Sequence, residues 1–169
     1  MTGRRMLERP WLLLGTALVV AVAFSALWLV RSVAPFRPDP EPIPQGSPAA
    51  TSQGTFTLRG MTTIDVLPDG GDGTPPLAGA SLVAVLFDYA GNPGEEVVCL
   101  VELLGQERYW TTDRYASVQD WGYQSSCEGN SGTVLRVFEI PADAVGEIRG
   151  VRIRGGGDDV ILAGEVTVQ

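Results

Sequence analysis

Between positions 11 and 30 the chain reads WLLLGTALVVAVAFSALWLV, twenty residues without one charge. A helix of that length spans roughly 30 Å, the thickness of a bilayer's hydrocarbon core. Arg4, Arg5 and Arg9 precede the run and Arg31 closes it. A secretory signal would carry a shorter apolar core, about 7–15 residues, ending at a small-x-small site. Ala21-Val22-Ala23 offers such a site, but the apolar run continues past it, and Ser32-Val33-Ala34 is followed at once by Pro35. The segment therefore reads as a retained single-pass transmembrane helix, residues 11–30, behind a cytoplasmic tail, residues 1–10. Basic residues before the span set that orientation. Everything after it is expected outside the cytoplasm, on the cell membrane.

The charge is divided to match. Residues 1–31 hold four Arg and one Glu, and residues 32–169 hold eight Arg against nineteen carboxylates, so the chain's −8 divides into +3 through Arg31 and −11 after it. An outer domain that acidic repels phosphate backbones, which excludes nucleic acid as a partner. All twelve basic residues are Arg, with neither Lys nor His. A Ser-His-Asp triad, a Ser-Lys dyad, a lysine Schiff base and a His-ligated metal are all impossible. Residues 69–73 (DGGDG) open like a calcium loop, but Gly71 and Ala80 stand where ligands are needed. No catalytic residue, cofactor or metal is expected.

Cys99 and Cys127 are the only cysteines. On the oxidising side of a membrane two such residues pair, so a Cys99–Cys127 disulfide is expected. Residues 31–54 carry six prolines, including the alternating run RPDPEPIP. That run favours polyproline II and reads as a linker reaching up to about 70 Å.

Residues 55–169 form one domain of about 115 residues. Positions 55–66 alternate, with Phe56, Leu58, Ile64 and Val66 on one face and Thr55, Thr57, Arg59, Thr63 and Asp65 on the other. Residues 81–89 (SLVAVLFDY) are apolar on both faces, the mark of a central strand. Further strands are predicted at 97–104, 108–112, 133–140, 147–154 with a break at Gly150, and 160–168. Seven strands with turn signals between them predict an all-β, immunoglobulin-like antiparallel sandwich.

Three segments carry a family resemblance: AVLFDYAGNPGEE, ERYWTTD and NSGTVLRVFEIPADAVGEIRGVRI. The chain from Ala80 onward resembles the immunoglobulin-like domains of secreted and membrane-anchored actinobacterial proteins, including the extracellular immunogen type of mycobacteria. The resemblance implies a packed sandwich and supplies no catalytic residues.

Aromatic residues concentrate between 109 and 123, among them Trp110, Tyr115, Trp121 and Tyr123, interleaved with Asp113, Arg114 and Asp120. Such a loop on a rigid scaffold is the natural contact surface. Packing is the competing role, with Tyr109 or Trp110 entering the core and Trp121 covering the disulfide. Within the helix, Ala17, Ala21 and Ser25 recur every fourth residue and make a ridge suited to helix–helix contact. The expected function is a non-enzymatic, membrane-anchored cell-envelope protein whose sandwich touches a protein or wall glycan. The rival expectations are an accessory subunit of a membrane complex and a carbohydrate-binding module using the aromatic loop.

Overall fold

The apolar run lies within one helix, α1 (Arg9–Ser32), of 24 residues. The computed structural model describes residues 9–32, 40–67, 73–111, 118–155 and 158–168. Within α1, the side chains of residues 9–13, 27 and 29–32 lie outside that set. Among the described residues no helix is long and apolar enough to cross a membrane. The expected span, 11–30, extends past the described side chains at both ends. The chain divides into two units, Met1–Pro38 and Asp39–Gln169.

The second unit holds ten described strands rather than seven: β1 (Ile43–Pro44), β2 (Ala49–Ala50), β3 (Gly54–Ile64), β4 (Ala80–Gly91), β5 (Leu100–Leu104), β6 (Tyr109–Thr111), β7 (Ser131–Pro141), β8 (Gly150–Gly155), β9 (Asp158–Ala163) and β10 (Val166–Thr167). They form two sheets, ordered β1-β9-β8-β5-β6 and β10-β3-β4-β7, with β2 also on β3. The unit is an all-β sandwich. Its pairings are antiparallel except β1 with β9 and β10 with β3.

The three extra strands have two causes. Residues 43–50, read from sequence as linker, add β1 to one sheet and β2 to the other. Pro44 is tolerated because β1 is an outermost strand, where a missing N–H breaks no ladder. A turn at Gly46, with φ +80°, lets the chain change sheets. The last predicted strand, 160–168, is likewise two, because after Ala163 the chain leaves β9 and joins β3 as β10.

The inter-sheet core is built from alternate positions. Phe56, Leu58 and Met61 of β3, Val83, Val85, Phe87 and Tyr89 of β4, and Val134, Phe138 and Ile140 of β7 face Val101 and Leu103 of β5, Val151 and Ile153 of β8, and Val160 and Leu162 of β9. The Phe56 and Phe87 rings meet at 6.4 Å and 54°, a tilted aromatic pair. Strand β8 starts at Gly150 rather than bending there, because residues 142–147 turn as a 3-10 helix. At both Gly54 and Gly150 a Cβ would strike a neighbouring carbonyl oxygen, of Ala90 and Leu162 respectively.

The bulge lies in β3, between Leu58 and Gly60. Leu58 pairs with Phe87 and Gly60 with Leu86, so Arg59 has no partner and alternation changes parity beyond it. Met61 therefore enters the core, while Ile64, expected beside Phe56 and Leu58, turns to the sheet's other side. Val66 is exposed.

That outer side is also apolar. Leu82 and Ala84 of β4 and Leu135 and Val137 of β7 form a second buried cluster with Leu67 and Val118, joined by Ile64, Leu86 and Tyr123. This explains why β4 is apolar on both faces. One side meets the other sheet and the second lies under chain that crosses the sheet.

Candidate functional site

The outer cluster is covered incompletely. Between its covering segment and the β3–β10 edge lies a groove of about 520 Å³. Its floor is built from Gly60, Ile64, Ala84, Leu86 and Leu135, and its walls are Trp121 and Tyr123 on one side and Gln45, Arg59, Thr62 and Thr167 on the other. Gly60, Leu86 and Leu135 stand in one cross-strand row, and Thr62 and Ala84 in the next. Gly60 and Ala84 bring little bulk to those rows, which sinks the floor. Nothing in the backbone demands glycine at position 60, where an added Cβ would meet only Gln45 Nε2, at 3.6 Å.

The aromatic wall is held at several points. A 3-10 turn (Val118–Trp121) buries Val118 in the outer cluster. Gln124 then hydrogen-bonds along β7: its N–H donates to the Thr133 carbonyl at 3.0 Å, and its carbonyl accepts from Leu135 N at 2.9 Å. Gln124 Oε1 accepts from the buried Tyr89 hydroxyl at 2.9 Å, and that hydroxyl also lies against the Glu128 carbonyl. A side chain at position 132 would collide with the Gln124 amide, so Gly132 makes room for this latch. Finally, the expected Cys99–Cys127 disulfide is formed, with its Cα atoms 5.8 Å apart.

The polar wall is oriented as firmly. Arg59 Nε donates to Asp88 Oδ2 at 2.6 Å, and Thr133 Oγ1 donates to Asp88 Oδ1 at 2.7 Å. Burial by itself would raise the Asp88 carboxyl. The Thr133 hydroxyl and the Arg59 guanidinium outweigh it and hold the pKa below the ordinary carboxylate value. Gln45 Nε2 donates to the Arg59 carbonyl at 2.6 Å, and Thr62 Oγ1 to the Thr167 carbonyl at 3.0 Å.

The residues singled out from sequence divide among four places. Trp121, 48% exposed, and half-buried Tyr123 line the groove. Trp121 does not join the inter-sheet core, against which the half-buried disulfide packs. Trp110, on β6 in the other sheet, packs against that core, and the Arg108 guanidinium lies 5.8 Å from its ring. Tyr109 is the exposed member of that pair, at 61%. Tyr115 lies outside the described residues, as do positions 69–72 of the calcium-like loop. Ala17, Ala21 and Ser25 are exposed on α1.

Sequence reasoning missed the floor and the polar wall. Those residues come from five separated segments, and the bulge at Arg59 that turns Ile64 outward leaves no mark in the residue pattern. The one available signal was β4, whose two apolar faces required a cover on both sides. The outer face of the other sheet offers a different surface, where Arg154 stands between Glu102, at 3.2 Å, and Asp159, at 3.7 Å, and its charges pair with one another. Among the described residues no group of three or more Cys, Asp or Glu side chains gathers as a metal site.

No family model and no curated protein matches this chain. Among solved structures, the crystal structure of an uncharacterized β-sandwich protein from Clostridium difficile 630 is similar at a TM-score of 0.44 and 11% identity, over 76% of this chain and 98% of that one.

Proposed function

We propose that the chain is a single-pass, membrane-anchored cell-envelope protein whose sandwich makes non-catalytic contact with a protein or wall component. The observation that carries this reading is α1. Leu14, Leu18, Val19, Val20, Val22, Phe24 and Trp28 point around its circumference and are 62–72% exposed. Apolar side chains on every side of a helix call for lipid as solvent. The charge split and the disulfide support an outward-facing sandwich. The groove, with the Trp121 indole at its rim, is the contact surface we assign.

The order β9-β8-β5-β6 facing β3-β4-β7 supports the immunoglobulin-like reading, in which four strands of one sheet oppose three of the other. The actinobacterial resemblance belongs with this proposal.

Protease added to spheroplasts tests the arrangement. The sandwich should be digested, after reduction and mild denaturant, only as externally added protease reaches it, while an epitope placed before Arg4 stays protected. Protection of the sandwich together with cleavage of that epitope would invert the orientation and refute the proposal.

A further inference from the structure

We propose that the outer-face groove binds a neutral saccharide, with one pyranose ring laid on the Trp121 indole and its hydroxyls facing Arg59, Gln45 and Thr62. This rests on reading the sandwich as a contact module and names the chemistry of that contact.

Three features converge on this ligand class. The first is the division of the groove into an aromatic wall, an apolar floor and a polar wall. A pyranose ring has the same division, with C–H groups on its faces and hydroxyls at its edge. An aromatic face carries negative π density that attracts such C–H groups.

The second is the hydrogen-bonding supply. Among the described residues Asp88 engages Arg59 only through Nε, which leaves both Nη groups as donors. Gln45 donates its Nε2 to the Arg59 carbonyl and keeps Oε1 as an acceptor, and Thr62 donates its proton to backbone and keeps its lone pairs. Each sugar hydroxyl both donates and accepts, so it can answer either kind of group. An aliphatic peptide side chain would bury the same groups without partners, at a cost that counts against it.

The third is charge. Among the described residues Arg59 is the only formally charged one lining the groove, and Asp88 beside it balances that charge. The outer part of the chain is acidic as a whole. An anionic ligand gains little at a neutralised guanidinium and is repelled by the rest, and among the described residues no carboxylate lines the groove to attract a cation. The volume, about 520 Å³, falls within the roughly 300–1,000 Å³ of small-ligand sites.

The test uses the full-length protein in a detergent without sugar headgroups, titrated by calorimetry with neutral oligosaccharides of glucose, galactose, mannose and N-acetylglucosamine, and with a uronic-acid oligosaccharide. At least one neutral sugar should bind. Trp121→Ala should weaken binding by about tenfold or more, Trp121→Phe should restore most of it, and Trp110→Phe, outside the groove, should leave it unchanged. Gly60→Val, which fills the floor where only Gln45 Nε2 stands near, should block binding while the urea midpoint stays put. No binding to any neutral sugar, preference for the uronic acid, or full affinity in Trp121→Ala or in folded Gly60→Val would overturn the assignment. A photo-reactive amino acid placed at position 121 in cells separates the two readings. A protein crosslink without sugar binding overturns the saccharide and keeps the contact module, whereas neither crosslink nor sugar binding removes both.

Discussion

Asp88 shows how one side chain joins packing to the groove. It sits on the outer face of β4, between Thr57 and Thr133 in the cross-strand row. Its pKa is held down in the folded state, so its contribution to stability is present above the unfolded value of about 4 and is lost as pH falls through the lower folded value. Asp88→Asn should therefore lower the urea midpoint at neutral pH and converge on the parent protein as the pH drops below about 4. The effect should stay under about 1 kcal/mol, because the Arg59–Asp88 pair is partly solvated. A difference that stays constant down to pH 3 would show that the carboxylate charge plays no part. At the same scale, residue type alone did not separate the two tryptophans. Trp110 and Trp121 fall in one aromatic stretch, yet one packs against the inter-sheet core beneath Arg108 and the other rims the groove. Which way each points depends on the strand or turn that carries it.

Among the elements, β3 matters most for the site. Its bulge lets one strand serve two apolar layers, sending Phe56, Leu58 and Met61 inward and Ile64 outward. Removing Arg59 from the chain would take out the unpaired residue and leave the pairs Leu58–Phe87 and Gly60–Leu86 adjacent, so Met61 should stay inward and Ile64 outward in simple alternation. We expect that deletion to cost less than about 2 kcal/mol in urea unfolding, whereas Met61→Ala, which empties an inward position, should cost about 2–5 kcal/mol. Arg59→Ala keeps the residue count and therefore the register, and should change stability by less than about 1 kcal/mol. A deletion as costly as Met61→Ala would mean that the ladder beyond Leu58 slips once the extra residue is lost. The long strands β3, β4 and β7 were legible because apolar alternation or a two-sided apolar run marks them. The two-residue strands β1, β2 and β10 were not, since nothing that short has a period.

At the scale of the whole sandwich, the aromatic wall and the sheets are joined by one covalent bond and the Tyr89 latch. The disulfide closes a sequence separation of 28 residues. In the chain-entropy picture that is worth roughly 3–4 kcal/mol, by restricting the unfolded chain. Joint Cys99→Ser and Cys127→Ser substitution should lower the unfolding free energy by about that amount. The groove's ligand should bind more weakly as well, because residues 118–127 lose an anchor. Unchanged stability would indicate that the latch and the outer cluster hold this segment unaided.

Several properties were decided by local chemistry and could be read from residue order. An uncharged run of twenty residues forms a helix, two lone cysteines pair, and β4 needs cover on both faces. Absence of Lys and His removes whole classes of catalysis whatever the fold. Only the tertiary structure decided that residues 43–50 belong to the sandwich, that Ile64 turns outward at a bulge, and that Trp121 rather than Trp110 lines a groove together with Arg59. The reason is that a strand's facing is set by its register against a partner far away in the chain. A shift of one residue exchanges the two faces, and an apolar pattern suited to both cannot announce which one was chosen.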